Sequence, residues 1–309
     1  MSKKKTSKVT IANIVTMLGL VALALFVFCG HALQNFENNM GTNIIVSLAF
    51  VLGVLFVLWL MIHAKKVENN FGPWRIVEVG AIVLFLGASY FTGTKMMKYF
   101  VINDKMETLK EVALEDVQGL SDLIDEFVDN ETVRCRQTAT LADNYSYESY
   151  FNNIAEEYGD VEDYFSHLEK KIGKIEADGS GINNRSAWEK EISEIRETIT
   201  NWNLIMLPDA VKHLEVLSKD MNEKLTETSA SYKFKEIYGS GLSNSRSNVY
   251  EYKVKFPAMV KEAEGFSPAG LGIIILIDIL VLASYVFAYR SRKVAPKAKG
   301  AFLGGAPLN

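Results

Sequence analysis

The sequence predicts an all-α membrane protein, with four transmembrane helices and an extracytoplasmic, mainly helical, bundle-like domain inserted between the third and the fourth. Three observations predict it. Four apolar runs, Val9–Leu33, Asn43–Ala64, Trp74–Phe91 and Pro268–Tyr289, each have about the length that crosses a hydrocarbon core. Between the third and fourth runs lie apolar seams whose spacing alternates between four and three, the signature of helices that bury one face. Finally, of 33 Lys and Arg, those outside residues 93–267 (Lys3, Lys4, Lys5, Lys8, Lys65, Lys66, Arg75, Arg290, Arg292, Lys293, Lys297 and Lys299) all fall on one side of the four-helix topology. Positive charge is retained in the cytoplasm, so the expected order is a start and three helices over 1–92 (spans near 9–33, 43–64 and 74–91), an extracytoplasmic domain over 93–267, a fourth helix over 268–289 and a disordered basic cytoplasmic tail over 290–309.

The first run follows Lys3–Lys8 and is too long for an ordinary signal core, so it reads as a retained helix. Gly19 and Ala22 on it, and Gly80, Gly87, Ala88 and Ser89 on the third run, would let helices pack closely. Trp59 and Trp74 fit a cytoplasmic aromatic belt. No Pro interrupts the chain between Trp74 and Asp129, so the third helix either runs on as a rod or breaks near Gly93.

Four seams follow. The first is Met106, Leu109, Ala113, Val117, Leu120, Ile124 and Phe127; the second is Ile154, Tyr158, Val161, Phe165, Leu168, Ile172 and Ile175. The third, Trp188, Ile192, Ile195, Ile199, Trp202 and Met206, opens on Ser186–Glu189, a capping-box pattern. After Pro208, suited to a first helical turn, come Val211, Leu214, Met221 and Leu225, with Ser218 in one slot. Gly-rich linkers at 177–184 and 239–248 separate these pieces. Tyr250, Tyr252, Val254 and Phe256 alternate with charged residues, which is period two and predicts a strand with an edge that a partner could extend. Tyr232, Phe234 and Tyr238 form a weaker matching run, which allows a small membrane-proximal β-hairpin.

In the fourth run Asp278 stands roughly 18 Å from the cytoplasmic boundary at 1.5 Å per residue, a costly position that predicts a polar contact. Counting in from Arg75, Ser89 and Tyr90 reach about the same depth and are its expected partners. Glu78, near the boundary, is expected to snorkel or to pair with Arg75 or Lys66.

Composition narrows the function. Residues 93–267 hold 33 Asp+Glu against 21 Lys+Arg, which argues against a nucleic-acid partner. Cys29 and Cys135 are the two cysteines, and one lies within a membrane run, so no disulfide can close inside the outer domain. That favours a bacterial inner membrane with a periplasmic domain. Asp163 with His167, and Asp209 with His213, have the spacing of metal ligands, but the seams turn all four away from the core, so no metal or other cofactor is expected. Hydrolase, metalloprotease and phosphate-loop motifs are missing. The expectation is a non-enzymatic interaction or scaffold protein. Its partners would be the lipid bilayer and other membrane or periplasmic proteins, with self-association allowed. The alternatives are an extracytoplasmic ligand sensor signalling through a separate partner, and a transporter or channel component using Asp278.

Overall fold

A computed structural model of the chain describes residues 11–67, 71–144, 147–177, 180–232, 234–238, 241–244 and 247–288. The basic start and tail expected in the cytoplasm lie outside them. The chain divides into two compact units, Met1–Met106 with Val260–Asn309, and Glu107–Met259.

The first unit holds helices α1 (Ile11–Gln34), α2 (Met40–Lys66) and α3 (Phe71–Asp104). With α10 (Pro268–Val286) they are the four described helices long and apolar enough to cross a membrane, as a multi-pass membrane protein requires. Leu23, Val27, Val54, Leu58, Phe85, Phe100, Ile274 and Val281 form their common core. The outward faces are just as apolar, with Met17, Leu52, Val83 and Ile279 each more than half exposed. A helix apolar all round suits lipid rather than water.

Two glycines set the helix spacing. A Cβ at Gly19 would stand 2.8 Å from the Val281 backbone nitrogen, and one at Gly30 would collide with the Lys95 carbonyl oxygen, so α1 approaches α10 and α3 through the absence of side chains. Gly80 and Gly87 depart from expectation, because a Cβ at either would meet nothing within 4 Å. Nor does α3 break near Gly93. It continues to Asp104 and is followed, after Lys105 alone, by α4 (Met106–Ala139).

In the second unit α4 buries Leu109, Ala113, Val117, Leu120, Ile124 and Phe127 as the seam predicts. The next seam spans two helices rather than one. The chain turns at Gly159, with φ of 86°, between α5 (Glu148–Tyr158) and α6 (Val161–Lys174), and Asp160 caps α6 by accepting from the Glu162 and Asp163 amides at 2.7 and 3.0 Å. A Gly followed by Asp is a stop and a start, and this local signal overrides the unbroken apolar spacing. Helix α7 (Asn184–Thr200) is capped by Asn183, whose side chain accepts from the Ser186 amide at 3.1 Å, so the expected cap residue Ser186 lies inside the first turn. It also ends before Trp202, which is buried at φ of 46°. Helix α8 (Leu207–Ser231) carries Pro208 in its first turn and buries Val211, Leu214, Ser218, Met221 and Leu225.

The period-two run is the larger correction. The hairpin that forms is β1 (Lys235–Tyr238) with β2 (Gly241–Asn244), antiparallel with Lys235 opposite Asn244. Tyr250–Lys255 is extended with no strand neighbour among the described residues, and Phe256 opens α9 (Phe256–Glu262). Tyr250 and Phe256 are buried, and Tyr252 and Val254 half-buried, against their intervening exposed residues. The alternation is real; its neighbours are helices.

Candidate functional site

Asp278 lies half-buried on α10, and the Ser89 hydroxyl on α3 donates to its Oδ1 at 3.3 Å. These two expected partners meet. Tyr90 does not join them, being 70% exposed on another face of α3 with its ring edge-on to Phe91. One helical residue rotates a side chain by about 100° at 3.6 residues per turn, so equal depth put Ser89 on the α10 side and Tyr90 off it.

A second polar layer ties all four helices together near the Arg75 end. Glu78, 2% exposed, accepts from the Arg75 guanidinium through one oxygen and from the Tyr285 hydroxyl at 2.7 Å through the other. Of the pairings expected for it, the one with Arg75 forms. Lys65 of α2 donates to the Tyr285 and Val286 carbonyls at 2.7 and 3.3 Å, placing its cation at the negative end of α10 and over the Tyr285 ring at 4.6 Å. On the α1 side the Ser284 hydroxyl reaches the Asn13 side-chain oxygen at 3.0 Å, and the Ser284 amide donates to Thr16 at 2.8 Å. Lys65, read from sequence as a topology marker, is thus also a helix cap.

Lysines also hold the chain that leads into α10. Lys98 donates to the Lys261 and Ala263 carbonyls at 3.1 and 2.7 Å, and Lys105 to the Glu264 carbonyl at 3.0 Å.

In the second unit two carboxylates fasten the extended segment. Glu131, fully buried, accepts through one oxygen from Ser229 at 2.8 Å, Asn248 at 3.1 Å and the Tyr250 hydroxyl at 2.7 Å, and through the other from Arg134 at 2.6 Å. Asp116, also fully buried, takes the Lys255 and Phe256 amides on one oxygen, both at 2.7 Å, and the Tyr252 hydroxyl on the other at 3.3 Å. Burial raises the Asp116 carboxyl above its ordinary 3.8 although those donors favour the charged form. Burial, then the neighbouring Asp116 charge, pushes the Tyr252 phenol up to about 12, and burial with the Glu131 bond raises Tyr250 further.

Between these carboxylates α8 stands in for a strand. The amides of Asn248, Tyr250 and Tyr252 donate to the side chains of Ser229, Thr226 and Asn222, at 3.1, 3.2 and 2.9 Å. Ser218 and Asn222 donate back to the Tyr252 carbonyl at 2.8 and 3.1 Å. Every second amide of an extended chain meets a polar side chain three or four residues further along a helix. Gly119 completes the seat, since any Cβ there would run into the Tyr252 ring. The backbone edge of this segment that carries the amides of Asn248, Tyr250 and Tyr252 is therefore occupied from within.

Sequence reasoning passed over Glu131 and Asp116, yet a signal was present. The α4 seam carried through 109, 113, 116, 120, 123, 127 and 131 advances by three or four residues at every step, so both acids sit in apolar slots. A charged residue in such a slot calls for a buried partner.

Of the metal-spaced pairs, Asp163 and His167 are exposed, and His213 pairs with Asp209 at 3.8 Å with both side chains well exposed. Cys29 and Cys135 are buried free thiols, and burial pushes Cys135 up to about 12, far from a reactive thiolate. No protein-family model, curated protein or solved structure matches the chain.

Proposed function

We propose that this chain is a non-enzymatic, multi-pass interaction protein of a bacterial inner membrane. Its helical unit outside the cytoplasm binds a partner, and its membrane helices dock into a larger assembly. The observation that carries this reading is the employment of the buried ionisable groups. Glu78, Glu131 and Asp116 each accept from two or more donors that join separate pieces of chain, so their chemistry holds structure together. What remains for other molecules is surface. The orientation rests on the one-sided Lys and Arg: both ends and the loop after Lys66 inside, residues 93–267 outside.

Two measurements test it. Purification from native membranes in mild detergent should give a particle heavier than one chain, and a strict monomer without a bound protein would sink the interaction reading. In intact cells stripped of their outer membrane, an impermeant thiol reagent should label Val133→Cys, a half-exposed position of α4, and spare Lys66→Cys until the cells are broken. The reverse pattern would overturn the orientation.

A further inference from the structure

In the first unit an open cleft of about 370 Å³ lies where α3 passes the chain that leads from α9 into α10. Thr94, Met97, Lys98 and Val101 of α3 line one side of it, and Lys261 and Glu264 the other. Residue count fixes its depth. From Arg75, at 1.5 Å per residue, Thr94 stands roughly 28 Å along α3 and Lys98 about 35 Å. From Arg290 in the opposite direction, Pro268 at the start of α10 stands about 33 Å away. The hydrocarbon core is about 30 Å thick and the headgroups occupy the next several Å. The cleft therefore spans the edge of the hydrocarbon, with Lys98 at the level of lipid phosphates.

The charges in the cleft specify its occupant. The Lys98 ammonium donates to the Lys261 and Ala263 carbonyls, and its third N–H has no acceptor among the described residues. The Glu264 carboxylate stands close enough to act on the Lys98 charge, and no hydrogen-bond donor reaches it among the described residues. A cation with a proton to give, beside a carboxylate without a donor, suits a ligand that carries both signs. A phosphoethanolamine headgroup does, because its phosphate accepts from Lys98 and its ammonium donates to Glu264. A headgroup bearing phosphate alone would set an anion beside Glu264 with nothing to answer it. At the rim Gly265 has a φ of 146°, a conformation open to glycine, and Phe266, 64% exposed, is the kind of ring that settles among headgroups. We infer that this cleft holds a phospholipid with a zwitterionic phosphoethanolamine headgroup at the membrane face opposite Arg75, its phosphate on Lys98 and its ammonium on Glu264. Such a site needs the membrane helices but neither the partner nor the orientation proposed above.

The test is native mass spectrometry of the full chain, delipidated in mild detergent and titrated with dioleoyl phosphatidylethanolamine or dioleoyl phosphatidylglycerol. The wild type should bind one phosphatidylethanolamine per chain, at least ~10-fold more tightly than phosphatidylglycerol. Glu264→Gln should remove that preference. Lys98→Gln would also loosen the chain leading into α10, so the second variant is Thr94→Trp, at an exposed position of the lining, which fills the cleft and leaves Lys98 on its two carbonyls. It should weaken phosphatidylethanolamine at least ~10-fold. Tighter binding of phosphatidylglycerol by the wild type, or unchanged binding by either variant, would overturn the proposal. Displacement of the lipid by an equal concentration of inorganic phosphate would overturn it too, by making free phosphate the ligand. A chain that needs detergent yet binds neither lipid overturns the site alone; a chain that leaves the membrane fraction without detergent overturns the membrane reading itself.

Discussion

Glu131 and Asp116 show how single residues place a stretch of chain that no ladder of backbone bonds could place. Removing Glu131 by Glu131→Ala leaves Arg134, whose side chain is 11% exposed, without its carboxylate, and strips the donors Ser229, Asn248 and Tyr250 of their shared acceptor. Breaking a buried pair from one side costs about 3–5 kcal/mol, so the second unit should unfold several degrees lower, read by circular dichroism of the full chain. Asp116 gives a pH dependence of defined sign. Its folded value is raised, so as pH climbs past the ordinary 3.8 the unfolded chain releases this proton first. Its contribution is greatest below the ordinary value, declines as pH rises toward the raised one, and is level above that. Asp116→Asn should flatten this part of a plot of melting temperature against pH; an unchanged slope would show that another group sets it.

Among the elements, helix extents and buried faces were legible wherever period and punctuation agreed, as in α4 and in α8 after Pro208. They were misread where punctuation was subtler than period. Gly159–Asp160 cuts one apparent seam into α5 and α6, and Asn183 caps α7 three residues before the Ser186 pattern. The period-two run was read correctly as extended and wrongly as a strand, because side-chain alternation reports which face is buried and not what supplies the hydrogen bonds. Close approach of α1 to α3 is an element-level property too. Gly30→Ala sets a methyl against the Lys95 carbonyl oxygen, a backbone atom that cannot swing aside. Overpacking of this kind costs about 1–3 kcal/mol, and the membrane helices should melt at a lower temperature while Gly80→Ala, facing open space, holds or gains stability.

At the scale of the whole molecule, the two units each bury one free thiol, Cys29 in the first and Cys135 in the second. Thiol labelling along a temperature ramp should therefore report them separately. With Cys135→Ser the reagent follows the membrane helices, and with Cys29→Ser it follows the helical unit. The two midpoints should differ, and Glu131→Ala should move the second alone. Coincident midpoints in every variant would show that the units unfold as one.

The sequence by itself determined that four helices are apolar enough for a membrane, that a charged helical unit interrupts them, and which faces of its helices are buried. Hydrophobic length and period are properties of single segments, and water or lipid reads them one segment at a time. Ser89 was legible as a partner of Asp278 because depth along a helix is fixed by residue count. Only the tertiary structure decided that Tyr90 turns away, that Lys65 and Tyr285 close a polar layer around Glu78, and that α8, Glu131 and Asp116 hold the extended segment. Those contacts join residues as far apart as Lys65 and Tyr285. They depend on helix rotation and register, which no local pattern carries.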